Sequence, residues 1–129
     1  MSVADYASRI RSDIRETPHV ISHSLGYEDR PPVAGIVSGS ATFADGAVLH
    51  FKEYLQLSPS IIKLKYAYHY VTADGSLIFR YDNARDPAAR GLPTYPHHKH
   101  IHSGLQASSG PTLVEALHEA AVLVKRPRG

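Results

Sequence analysis

Apolar positions change their period twice along the chain. Val3, Tyr6, Ile10 and Ile14 recur at steps of three and four residues, the repeat of one helix face. Ser2 followed three residues later by Asp5 resembles an arrangement that caps the first turn. Thr17-Pro18 ends the segment, because the residue before a proline avoids the helical region. A first helix is therefore predicted to run to about Glu16. From His19 to Asn83 the period falls to two, in short β-rich runs separated by turn signals. Two of those signals are the same tripeptide, Ala44-Asp45-Gly46 and Ala73-Asp74-Gly75. Asp-Gly between apolar runs favours a two-residue hairpin loop, whose two positions both take positive φ. The pattern predicts a meander of about five antiparallel strands near residues 19–28, 33–44, 47–56, 60–72 and 76–83. Residues 84–110 have no periodicity and are rich in Pro, Gly, Ser and His; such a loop in a compact domain is functional or mobile. After it, Thr112 with Glu115 makes a capping box, and Leu113, Leu117, Ala120, Ala121 and Val124 form a helical stripe. The expected fold class is α+β, with the N-terminal and C-terminal helices packed on one face of the sheet.

Alternation within the last two strands assigns their faces. If Asp74-Gly75 is a two-residue loop, positions whose numbers sum to 149 lie opposite one another, so His69 faces Arg80 and Ala67 faces Asp82. Leu64, Tyr66, Tyr68, Tyr70, Leu77, Phe79 and Tyr81 then share the apolar face. Lys63, Lys65, His69, Arg80 and Asp82 share the other, to which the preceding strand adds His50 and Lys52. An antiparallel sheet can keep one face in the core and one in water.

Composition narrows the setting. A chain of 129 residues suits one domain, since about 150 residues already hide roughly 70% of their unfolded surface. The absence of cysteine excludes disulfides, a thiolate nucleophile and a cysteine zinc site. Asp5 and Arg9 interrupt the N-terminal segment, and no run approaches the roughly 18 apolar residues of a membrane span. A soluble, unexported, cytoplasmic protein without membrane contact is expected. Net charge is only +2, but six of the nine histidines fall between Gly46 and His102. In the same stretch seven lysines and arginines meet four acids, a surplus of three positive charges. Such a protonatable, cationic patch suits a polyanion such as RNA. The basic tail from Lys125 to Gly129 reads as a frayed, solubilising end.

The densest chemistry is Pro96-His97-His98-Lys99-His100-Ile101-His102. In an extended segment His98, His100 and His102 point the same way, as a set of imidazole metal ligands would. Lys99 beside them and the lack of an adjacent carboxylate weigh against a metal, so no cofactor is expected. The alternative is acid–base catalysis on a phosphodiester. One imidazole takes a proton while another gives one, and arginine and lysine stabilise the charge that builds on the phosphoryl oxygens. His69, Arg80, His97, His98 and His100 are the candidate catalytic residues, and Lys65, Lys99, Asp82 and Asn83 the candidates for holding substrate. Tyr66, Tyr68 and Tyr70 are read as core residues rather than base-stacking platforms, and Asp82-Asn83 as the start of a turn or as a partner for Arg80 or a histidine.

The blocks Leu64-Lys65-Tyr66-Ala67-Tyr68-His69-Tyr70, Leu77-Ile78-Phe79-Arg80-Tyr81-Asp82-Asn83-Ala84 and Pro96-His97-His98-Lys99-His100, in that order, resemble the TumE-like family of type II toxin–antitoxin toxins. The resemblance spans roughly residues 18–120, and departs from the family pattern where Arg85-Asp86-Pro87 follows Ala84. It implies a cognate DNA-binding antitoxin as partner and RNA as target. A toxin that is a metal-independent endoribonuclease is the expectation, and a homodimer is an open option. The competing readings are a non-catalytic nucleic-acid- or partner-binding domain and a His-ligated metallohydrolase.

Overall fold

The computed structural model describes residues 1–125; the expected basic tail beyond Lys125 lies outside them. Helix α1 spans Val3–Glu16 and begins in a complete capping box, the Ser2 hydroxyl accepting from the Asp5 amide and the Asp5 carboxylate from the Ser2 amide. Its buried stripe is Val3, Ala7, Ile10 and Ile14, and the extended Thr17 stops it. Seven strands follow: β1 (Val20–Arg30), β2 (Ala34–Phe43), β3 (Val48–Gln56), β4 (Ile62–Val71), β5 (Leu77–Asp82), β6 (His98–Ile101) and β7 (Gly104–Ala107). They form one antiparallel sheet in chain order. Helix α2 (Leu113–Val122) carries the second capping box, between Thr112 and Glu115.

The α+β class holds, but the sheet has seven strands rather than about five. The two extra strands lie inside the stretch expected to be a loop. Each is four residues long, and histidines, a lysine and a glycine leave no apolar alternation to read. Pairing of β6 with β5 and β7, a tertiary contact, makes them strands.

Both Ala-Asp-Gly turns also differ from expectation. Each loop has three residues, closed by Phe43 N–H to the Ala47 carbonyl (2.8 Å) and by Thr72 N–H to the Ser76 carbonyl (2.9 Å). Only the glycines take positive φ, +86° at Gly46 and +89° at Gly75. The aspartate carboxylates accept the amides two residues on, Ala47 and Ser76, which favours this turn over a two-residue one. In the second hairpin Val71 pairs with Leu77 but Tyr70 with Phe79. The extra residue, Ile78, restores the expected register, and His69 does face Arg80.

Both helices cover one face of the sheet. Beneath them lie Val37, Ala41, Leu49, Phe51, Leu55, Tyr66, Tyr68, Tyr70, Phe79 and Tyr81, all buried. Two face assignments are corrected. Leu77, expected on the apolar face, pairs with Val71 on the face of His69, and Ile78 packs against the core instead. The other correction is at the start of β4. Tyr54 pairs with Lys65 but Leu55 with Lys63, so Leu64 is the extra residue of a β-bulge. An inserted residue reverses which face its neighbours occupy. Leu64 is 55% exposed, whereas Lys63 turns under the helices and donates to the Tyr68 hydroxyl (2.6 Å) and the Pro111 carbonyl (2.9 Å).

Candidate active site

The face without helices carries a straight row of polar side chains. Cross-strand pairing runs Ser24↔Ser40↔His50↔His69↔Arg80↔His100 through β1 to β6. Directly opposed residues on one face are the closest side-chain neighbours in a sheet. The His50 and His69 rings are 6.4 Å apart, and His69 and His100 flank Arg80 from either side. A second row, Lys52↔Ala67↔Asp82↔His98, runs beside the first. Ala67, small and between Lys52 and Asp82, leaves the floor low. Two shallow hollows of about 180 Å³ each meet there, sharing Lys52, Ala67 and Arg80. His50 and His69 line one; Tyr54, Lys65 and Asp82 line the other. A more apolar hollow of about 350 Å³, between Pro18, His19, His118, Ala121 and Val122, includes none of these rows' residues.

Asp82 organises this surface. Its carboxylate is nearly buried and accepts from Arg80 Nε (2.9 Å) through Oδ2 and from the Ala84 amide (3.0 Å) through Oδ1. His98 Nε2 lies 3.0 Å from Oδ1, and His100 Nε2 lies 3.8 Å from Oδ2. The other nitrogen of His98, Nδ1, is 2.8 Å from the Pro96 carbonyl. Arg80 therefore has one edge of its guanidinium pinned while its side chain stays 42% exposed. Burial first, then the positive Arg80 and the neighbouring His50 and His100, holds His69 below the ordinary imidazole value. Its neutral, proton-accepting form is favoured.

The structure brings His69, Arg80, His100, Lys65 and Asp82 to this face and takes other candidates away. Lys99 pairs with Tyr81 and lies under α2, where its ammonium contacts Glu119 (2.8 Å) and sits over the Tyr81 and Phe79 rings. Burial pulls Lys99 down, but the bonds to Glu119 and Tyr81 outweigh it and its pKa rises. His97 also belongs to the covered side, stacked on Tyr66 with Nδ1 2.9 Å from the phenol oxygen. His98 is 1% exposed and reaches the open face only through Asp82. Asn83 does not face the hollow: its amide accepts from Tyr66 N–H (3.0 Å) and donates to the Leu64 carbonyl (3.1 Å). It completes β4 beside the bulge, as a backbone partner would. His50, noted only as an addition in the sequence, stands in the row itself; its place in the β3 alternation was the available signal.

The chain matches the family described as Toxin TumE over residues 10–126. It belongs to the TumE toxin family. No curated protein and no solved structure matches it. Membership gives the chain a toxin's role and implies a cognate antitoxin. No helix among the described residues is long and apolar enough to cross a membrane. For a TumE-family toxin, the open face holds histidines, an arginine and lysines together with a carboxylate that fixes their geometry, a set able to bind a phosphodiester and exchange protons with it.

Proposed function

We propose that this TumE-family chain is the toxin of a type II module and cleaves RNA in the cytoplasm without a metal, held in check by a DNA-binding antitoxin. The observation that carries the reading is the cross-strand row His69↔Arg80↔His100 on the open face. Adjacent strands are about 4.8 Å apart, so the two imidazoles stand two strand spacings apart with the guanidinium between them. One phosphoryl group fits in that interval.

His69, favoured as neutral, takes the proton of a ribose 2′-hydroxyl as its oxygen attacks the adjacent phosphorus. His100 gives a proton to the departing 5′-oxygen, so the products are a 2′,3′-cyclic phosphate and a 5′-hydroxyl. Arg80 donates to the phosphoryl oxygens, where a fixed cation acts on the charge that builds in the transition state. Lys52 and Lys65 hold the neighbouring phosphates. Asp82 touches no substrate; it holds Arg80 in place.

The test is purified chain with a generic single-stranded RNA in EDTA. The expected result is cleavage to cyclic-phosphate ends, reduced about 10²- to 10⁴-fold by His69→Ala or His100→Ala with thermal unfolding unchanged. RNA binding that weakens with salt but yields no products from any sample identifies the face as a non-catalytic binding surface instead.

A further inference from the structure

His98 presents a problem of proton placement. Its Nδ1 faces the Pro96 carbonyl, which can only accept, so this nitrogen carries a proton. In the neutral ring Nε2 is then a lone pair, and it points at a carboxylate oxygen 3.0 Å away. Two acceptors at that distance repel unless something positive lies between them. A second proton is one answer. A divalent cation is the other, and a ligand histidine commonly has its far N–H tied to a carbonyl in this way.

A third donor converges on the same point. The ligating atoms of Asp82, His98 and His100 all lie within 4.8 Å of one another, the grouping of this kind among the described residues. Asp82 and His98 are buried, while His100 is 32% exposed and leaves a way in from solvent. The sequence suggested His98, His100 and His102 as such a set; the structure replaces His102, in the turn after β6, by the carboxylate of Asp82 from the neighbouring strand. Two imidazoles and one carboxylate suit a borderline ion such as Zn²⁺ and leave coordination positions for water.

We propose that Asp82, His98 and His100 bind one Zn²⁺-like ion, and that an ion held there inhibits the toxin because it occupies the nitrogen with which His100 would carry a proton. The inhibitory half rests on the cleavage reading; the binding half does not. Arg80 opposes the ion, since its guanidinium already holds Asp82 Oδ2, and an added positive charge beside a cation lowers affinity. The site would therefore take up metal as an inhibitor while the metal-free chain remains the active form.

The experiment titrates Zn²⁺ into metal-stripped full chain by calorimetry, with Co²⁺ absorption to report coordination, and follows RNA cleavage in the same samples. One ion per chain is expected, with affinity lowered at least about tenfold by Asp82→Asn and by His100→Ala, a loss that even outer partners of metal ligands bring. His102→Ala should bind as the parent does, Arg80→Gln should bind more tightly, and cleavage should fall as zinc is added and recover in EDTA. His100→Ala keeps the test sound if a change at buried Asp82 unfolds the chain. No binding, or binding indifferent to His100 and Asp82, overturns the site and leaves the cleavage reading intact. Binding as described in a chain that never cleaves RNA overturns the cleavage reading and leaves the site. Cleavage that rises with zinc overturns both the inhibition and the metal-free mechanism.

Discussion

Glu53 and Asp82 are both carboxylates almost fully withdrawn from water, on opposite faces of the same sheet. Glu53, under the helices, accepts from the Tyr6 and Tyr68 hydroxyls and has the Lys63 ammonium 3.8 Å away. Burial, with the nearby Glu53 charge, raises both phenols well above the ordinary tyrosine value, and burial lowers Lys63. Around neutral pH the two phenols therefore keep their protons, and the network ties α1, β3 and β4 together. Asp82 is surrounded instead by two imidazoles and a guanidinium with a solvent-facing edge. Equal burial thus serves two ends. Where donors are fixed and enclosed a buried acid holds the fold together, and beside an open hollow it fixes the orientation of an exposed guanidinium.

Four substitutions or titrations probe that contrast. Glu53→Ala leaves two phenols without their acceptor and Lys63 without its counter-charge, and should cost about 3 kcal/mol in urea unfolding, as removal of one partner of a buried pair does. An unfolding midpoint that does not move would show the network to be dispensable. Asp82→Asn keeps an acceptor for the Ala84 amide but loses the anion that holds Arg80. It should lower RNA cleavage about 10²-fold, the effect of slight misplacement of a catalytic group, and destabilise less than Glu53→Ala. Should Asp82→Asn prove the more destabilising of the two, the division of labour drawn above is wrong. Arg80→Lys keeps the charge and loses the planar fork; a drop of about tenfold in cleavage, worth one hydrogen bond, is expected at unchanged unfolding temperature.

The smallest effect is read by NMR titration of His69. Its midpoint should lie below the ordinary value near 6.5 and rise in Arg80→Gln, which removes a neighbouring positive charge. Because folding depresses this pKa, the stability linked to His69 is complete above about pH 6.5 and is lost as pH falls through the depressed midpoint. The acidic limb of cleavage should follow the same midpoint. A midpoint above 6.5 contradicts the neutral base.

Much of the open face could be read before any coordinates. The alternation of β4 and β5 put His69 opposite Arg80, and although the turn has one residue more than expected, Ile78 compensates for it. The same alternation, carried through the histidine cluster, separates Lys99 and His97 from His98 and His100. Grouping all of them around one phosphate set that parity aside. The meeting of Asp82 with His98 was not legible, because 15 intervening residues separate them in the chain and only the β5–β6 pairing brings them together. Nor was the inward turn of Lys63, since a bulge depends on how β3 and β4 fit and not on either strand's own pattern.

That bulge has a further consequence. Leu64 acts as a dislocation in an otherwise regular lattice, shifting the parity of β4 at one point and confining the shift to the end away from the histidines. Before it, odd numbers belong to the interior; after it, even numbers do. One strand thereby delivers an ammonium to the acid beneath the helices and an imidazole to the opposite surface, although Lys63 and His69 are both odd-numbered. The two halves of β4 can consequently vary under separate constraints, with Asn83 stitching the seam where the ladder is interrupted.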